Sequence, residues 1–413
     1  MIKRIAAFAG LPLLASLASF ILLPIIARVG GALAWNSLAV GQAIGAIAAI
    51  VIGLGWPLTG PAAVASESDA FARRRLYATS FVTRSFVFVC AVPVMAAALA
   101  FTDAKDQFWV AFLMACAQAA AGLTPAWYCI ATGHAGRIAK YDVIPRMVAT
   151  LGVIPLLFAT GGIFLYPLAL LLLGLAGTLW FNKDHAQRKD FRGLTPRAVV
   201  REIWELRGGA GVTVAAGAYA STPVIVVQFA ASTSGLAAFV SADKLYRIGQ
   251  LATVALGNSL QGWVNEFGAD HKERRRFSLV ALSLLGAAGW LILSLLGPWV
   301  SSLLFGSALA ADFWTCFWFG LSFLLVCVTT STGAHWLVPA KQMRVVFSST
   351  IAGAIVGLPA MVILAHLMGG EGGALGLVLG ETAVTAIQLR AIIRLMREPA
   401  PKDTNEEIPS RTG

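Results

Sequence analysis

Asp243, Lys244 and Arg247 stand within "SADKLYRIGQ" (241–250), between "VTVAAGAYASTPVIVVQFA" and "LATVALGNSLQGWV", two stretches apolar enough to lie in a bilayer. On a helix Asp243 and Arg247 are i, i+4 and neutralise each other, while Lys244 and Arg247 are i, i+3 and share a face. The result is a locally cationic strip suited to phosphate or another anionic group. A charge at mid-bilayer costs about 2.5–3.5 kcal/mol on insertion scales, so it has to face a cavity or a partner. The alternative is a helix that begins only at Leu245, leaving Asp243 and Lys244 in a loop.

Other charges sit in or beside apolar runs. Arg28 ends the first of them, Arg84 lies a turn or two inside the third, Asp142 and Arg146 open the fifth at i, i+4, and Glu381 lies in the last. Arg28, Arg84 and Arg146 join Lys244 and Arg247 as candidates for a cationic cavity. Snorkelling to headgroups is the plainer reading for Arg84 and Arg146, and a surface ion pair the plainer one for Asp142–Arg146. Asp243, Glu381 and Asp142 are the candidates for an ion-coupling acid.

Enzyme chemistry has little to rest on. No stretch reads G-x-x-x-x-G-K-[ST], and His134, His185, His271, His335 and His366 are scattered without metal-ligand spacing. Neither a cofactor nor a metal is expected. The five cysteines all lie in apolar runs, where thiols behave as small hydrophobes.

The elements that carry these residues are membrane helices. Hydrophobic residues make up 58% of the 413 and charged residues only 12%, with a mean hydropathy of +0.77. A soluble chain carries about 25% charged residues, so this composition cannot make a water-facing surface. Apolar stretches of about 20 residues predict an all-α integral membrane protein of about twelve helices. They fall near 5–27, 36–58, 79–101, 108–131, 143–161, 164–181, 208–230, 236–262, 278–299, 313–337, 345–368 and 373–396. The opening run, with Lys3 and Arg4 before it, reads as the first span rather than as a cleaved signal.

Most of the 31 Lys and Arg fall on one face if the N-terminus is cytoplasmic, in "ARRRLY", "GRIAK", the 182–207 segment, "DHKERRR", "AKQMR" and the tail. The net charge of +11 is then topological, and because it is spread over many loops it is no footprint for nucleic acid. Both termini are expected to be cytoplasmic. The domains expected are a six-helix lobe at 1–181, a linker at 182–207, a second six-helix lobe at 208–397 and a polar tail at 398–413. Within the linker "TPRAVVREIWEL" predicts a short amphipathic helix, with Thr195 as cap, Pro196 at its first position and Trp204 toward lipid.

The halves echo each other. "RVGGALAWNSLAVGQ" resembles "STSGLAAFVSADKLY", the triplets Arg73–Arg75 and Arg274–Arg276 follow, and "PAWYCIATG" has a weak counterpart in "AHWLVPAKQ". Such duplication is expected of an alternating-access transporter with pseudo-symmetric lobes. Gly41/Gly45, Gly353/Gly357 and Gly376/Gly380 match the small-xxx-small spacing of close helix contacts.

With "LPIIARVGGALAWNSLAVGQAIGAIAAIVIGLGWPLTGPAAVA", "LTPAWYCIATGHAGRIAKYDVIPRMVA" and "SADKLYR", the chain resembles the Wzx-type O-antigen and capsule flippases of the multidrug/oligosaccharidyl-lipid/polysaccharide (MOP) exporter superfamily. The resemblance runs over almost the whole chain. It implies two lobes in a V around a cationic cavity in the bacterial inner membrane. It also implies an undecaprenyl-diphosphate-linked oligosaccharide flipped to the periplasmic leaflet and coupled to an ion gradient. Arg28 and Lys244 match basic positions of the family, and Pro125 and Trp127 its Pro-x-Trp; "YCIATG" stands where the family has an aromatic-Gln-Gly. Asn36, Gln42, Asn258 and Gln261 are then candidates for glycan contact. The implied partners are the polyprenyl-diphosphate-linked glycan, membrane lipid, and a polysaccharide polymerase or other glycan-assembly proteins.

Rival readings are a multidrug exporter of the same superfamily, which typically has an acid in span 1, and the lipid II flippases, which typically have two further spans. Span 1 here has no acid, and no further spans are found. A membrane scaffold for glycan-assembly enzymes is the third, and it has no use for Lys244 and Arg247 inside the membrane.

Overall fold

Hydrocarbon offers a peptide group no water, so a chain this apolar has to satisfy its backbone internally. The computed structural model describes residues 2–264 and 271–397; the tail expected at 398–413 lies outside the described residues. Among the described residues there is no strand, and nine helical stretches are long and apolar enough to cross a membrane.

Helices stand at all the expected spans. The first two fall in α1 (Ile2–Gly53), which is interrupted at Gly31 by φ 64° and ψ −171°, a conformation that glycine alone adopts without strain. Next come α2 (Trp56–Ser66) and α3 (Ala70–Ala100). Asp69 caps α3 by accepting from the amides of Phe71 and Ala72 at 3.2 and 2.9 Å. Those amides, Ala72 first, hold the Asp69 carboxyl below its usual range.

The fourth span is broken into α4 (Phe108–Ala119), a 3₁₀ turn at Ala120–Leu123 and α5 (Ala126–Ala131), with Pro125 at the break. The fifth comprises α6 (Ala135–Ile138), a π turn (Ala139–Val143), α7 (Ile144–Gly152) and α8 (Ile154–Thr160), and the sixth is α9 (Leu165–His185). The second half holds α10 (Pro196–Ser221), α11 (Pro223–Gln228), α12 (Thr233–Val264) and α13 (His271–Phe305). Then follow α14 (Phe313–Thr330), continued by a π turn (Ser331–Leu337), α15 (Met343–Met368) and α16 (Gly370–Arg397).

Thr195 and Pro196 open α10 as expected, the Thr195 hydroxyl accepting from the amide of Ala198 at 3.4 Å. The helix does not stop at the linker, however, and runs through residue 207 into the seventh span. A glycine weakens a helix by only about 1 kcal/mol, against about 3 for a proline, so "RGGAG" does not end it. Ile203 and Leu206 of α10 pack on a buried aromatic cluster of the first half that includes Tyr77, Trp127, Tyr141 and Phe181.

Within each half, glycine pairs let backbones touch. A Cβ on Gly41 would lie 2.2 Å from Ala111 O, and one on Gly45 2.3 Å from Ala115 O, so α1 lies flat on α4. In the second half a Cβ on Gly353 would meet Val384 at 2.4 Å, and one on Gly376 would meet Met361 Cα at 2.5 Å. Backbone cannot yield as a flexible side chain can. Gly45→Val is therefore expected to cost about 3 kcal/mol through overpacking, and thermal unfolding of the purified protein checks it.

Candidate functional site

The charged strip belongs to α12, which begins at Thr233, well before Leu245, so Asp243 and Lys244 lie inside the helix. Rings anchor this segment to the second half: Phe239 and Tyr246 lie 4.9 and 5.4 Å from Phe319. Asp243 and Lys244 are buried among protein groups.

The structure divides the strip between two neighbours. Lys244 reaches the first half, where its Nζ donates to Gln42 Oε1 of α1 at 2.5 Å. Arg247 turns to Asp243 instead, its Nε donating to Oδ2 at 2.7 Å. That pair borders a cavity of about 470 Å³ inside the second half, together with Tyr246, Gln250, Glu381 and Gln388. Two carboxylates and one guanidinium are its charged lining, and much of the remaining wall is Val, Leu and Thr.

The other expected residues lie elsewhere. At the end opposite the basic loops, Arg28 Nη2 donates to Leu303 O at 2.6 Å and Asn36 Nδ2 to Thr233 O at 2.9 Å. Trp35 packs on Phe305 beside them, ring centroids 4.9 Å apart, so this end of the two halves is closed.

Arg84 is fully buried and does not snorkel. Its Nε donates to Ser80 O at 3.1 Å, and its Nη1 to Gly122 O and Thr124 O at 2.9 and 3.0 Å, carbonyls exposed by the break in the fourth span. Trp127 lies against the guanidinium, 5.9 Å from ring centroid to Cζ. Arg146 pairs with Asp142 at 3.0 Å beside a small crevice of the first half. Asn258 and Gln261 are exposed and do not line the cavity. Of the three acids, Asp243 and Glu381 share the cavity, whereas Asp142 is in the other half.

Sequence reasoning missed Gln250, Gln388 and the polar turn at 331–337. Gln250 follows Asp243 and Arg247 on one helical face, a signal that helical spacing alone carries. Gln388 has no such pattern; its amide accepts from the Thr332 hydroxyl at 2.5 Å and donates to that of Ser349 at 3.1 Å.

No protein-family model matches the chain, and no curated protein sequence matches it significantly. Solved structures do. The chain is similar to a multidrug resistance MATE family transporter of the MOP superfamily in an inward-facing conformation, with a TM-score of 0.67, 16% identity and coverage of 93% of this chain and 94% of that one. It is also similar to the lipid II flippase MurJ in an inward closed conformation, with a TM-score of 0.69, 11% identity and coverage of 94% and 87%. A third is a MOP superfamily transporter from Pyrococcus furiosus, described as having a binding pocket of reverse polarity, with a TM-score of 0.51, 15% identity and coverage of 95% and 94%. At these identities the likeness is one of fold: this chain shares the fold of these solved structures, which include a multidrug transporter and a lipid flippase.

Proposed function

We propose that the chain is a flippase for a polyprenyl-diphosphate-linked oligosaccharide, moving it from the cytoplasmic to the periplasmic leaflet of the inner membrane by alternating access. The observation that carries the reading is Lys244: a buried ammonium between the halves whose partner among the described residues is a neutral amide. A buried cation without a bonded counter-ion is costly, and a diphosphate is the stronger acceptor that would relieve it. Arg247 is half-exposed at the cavity edge and is the second cation within reach of the same lobe. Arg28, Arg84 and Arg146 already serve backbone carbonyls or Asp142, and Arg247 serves Asp243, so the reading rests first on Lys244.

The physics of the task fits. A glycan and a diphosphate cannot cross hydrocarbon unaided, whereas a polyprenyl tail stays in lipid. The protein need supply only a polar cleft with alternating exposure. The basic loops favour cytoplasmic termini, which makes the closed end the periplasmic one. The fold shared with a lipid II flippase supports a lipid-linked glycan as substrate.

One observation favours a drug exporter instead: the second-half cavity has two acids to one base and largely apolar walls, which suits an organic cation. A deletion strain separates the two. Loss of a surface polysaccharide, with lipid-linked oligosaccharide trapped on the cytoplasmic leaflet, is the expected result. Unchanged glycan with altered drug sensitivity would overturn it.

A further inference from the structure

His335, one of five scattered histidines in the sequence, is fully buried in the π turn Ser331–Leu337 of the second half. Three helices meet on its ring. Nε2 lies 3.1 Å from Gly257 O of α12, a group that only accepts, so Nε2 carries a hydrogen. Nδ1 is bonded to the Ser278 hydroxyl of α13, and the same hydroxyl lies 2.9 Å from that of Ser331. In the neutral ring Nδ1 is therefore the acceptor and Ser278 the donor.

This arrangement can take a proton by turning two serine hydroxyls. A proton added to Nδ1 makes both ring nitrogens donors. The Ser278 hydrogen then swings from Nδ1 to Ser331 Oγ, and the Ser278 oxygen accepts from the new Nδ1–H. Ser331, whose hydroxyl is bonded to Ser278, has then to turn its own hydrogen to a new acceptor, and a rotamer change toward the carbonyls one turn back supplies the bond that serines in helices commonly make. The proton is the only atom gained, and its charge is shared along two hydroxyl dipoles. A purely structural histidine needs one fixed donor and one fixed acceptor; here the acceptor is backed by a rotor of two serines.

The position connects to the rest of the lobe. Gly333 and Ala334 of the same turn line the cavity that holds Asp243, Arg247 and Glu381, so the ring sits one residue from its wall. π turns of this kind recur at functional sites.

The charged groups on the surrounding elements can be named. On α13, Arg274 lies over Trp263, 4.7 Å from its ring centroid, and Arg275 over Trp336, 6.0 Å away, next to His335 in sequence. On α12 they are Asp243, Lys244 and Arg247, more than two helical turns from Gly257. α13 also carries His271, Lys272, Glu273 and Arg276 in its first two turns; on α15 the groups are Arg344 and His366, on α16 Glu371, Glu381, Arg390, Arg394 and Arg397, and α14 with its π turn has none besides His335.

We propose that His335, with the Ser278–Ser331 rotor, is a proton-binding site of the second half. The inference concerns the ion and not the cargo, and it stands whether the transported molecule is a lipid-linked glycan or a drug.

The test is nitrogen NMR on the full chain, labelled with ¹⁵N-histidine and held in lipid nanodiscs, with the proton itself as the probe. His335→Gln removes one signal and so assigns it. The expected spectrum is the neutral Nε2–H tautomer at high pH, converting to imidazolium within about pH 8 to 5, the window in which histidine titrates. Ser278→Ala is expected to lower the proton affinity of His335 about tenfold, and Ser278→Thr, which keeps the hydroxyl, to restore it. If His335→Gln fails to fold, the two Ser278 variants identify the signal by its shift. A ring that stays neutral throughout this range, or a titration identical in Ser278→Ala, overturns the proposal.

Discussion

Arg84→Ala is expected to lose about 2–4 kcal/mol of stability. The guanidinium answers three carbonyls at once, Ser80 O, Gly122 O and Thr124 O, the last two belonging to the 3₁₀ break that leaves them without helical partners. Alanine would strand Gly122 O and Thr124 O away from water, each at about 1–3 kcal/mol, partly offset by local relaxation and by the loss of a buried charge, while Ser80 O keeps the Thr83 hydroxyl and its helical amide. It would also leave a space beside Trp127 and Tyr77. Arg84→Lys keeps the charge but not the fork, and should fall between the two. Thermal unfolding followed by tryptophan fluorescence measures the order; an alanine variant melting with the wild type would show that the break holds itself.

Lys244→Gln is expected to slow flipping about 10- to 100-fold with little change in folding. One hydrogen bond to a charged group is worth about 1.5–3 kcal/mol, and that is what a diphosphate would lose. Folding survives because two amides, at 42 and 244, can still bond to each other. Gln42→Glu should reach a similar loss by the opposite route, supplying Lys244 with a permanent counter-ion that a diphosphate has to displace. The pair is informative because one variant removes the cation and the other satisfies it. Both are read by translocation of a fluorescent polyprenyl-diphosphate-linked sugar in proteoliposomes, and wild-type rates in both would end the role assigned to Lys244.

Much of the fold was legible because lipid imposes simple rules. Apolar length placed the spans, and the small-residue spacings that include Gly41, Gly45, Gly353 and Gly376 marked helices that do touch. The unusual depth of Asp243, Lys244 and Arg247 singled out α12, and all three do lie inside that helix. Spacing could not say which way each side chain turns: Lys244 finds Gln42 on α1, some two hundred residues earlier, and leaves Arg247 to Asp243. Arg84 was unreadable for a related reason. Its partners are backbone carbonyls, which carry no residue signature, freed by an irregular turn that apolar composition hides. His335 was passed over because its bonds come from α12 and α13, and a lone histidine in a sequence shows none of them. The end of α10 was misplaced because glycines that look like a break cost less than the turns they interrupt.

The ion pairs Arg74–Asp190, Lys140–Asp184, Asp142–Arg146, Arg201–Glu205 and Asp243–Arg247 each lie within one half or its linker, whereas Arg28, Asn36 and Lys244 join the halves by bonds to oxygens without formal charge. Pulling opposite charges apart in a low-dielectric medium is resisted over many ångströms, because Coulomb attraction falls only as 1/r. A charge–dipole contact fades much sooner. In the alternating access proposed above, the work of parting these contacts would be spent in the first ångström or so, leaving the two halves a nearly flat path along which to separate and close again. Such a joint favours many reversals over a tight grip, and its rate should be nearly indifferent to ionic strength.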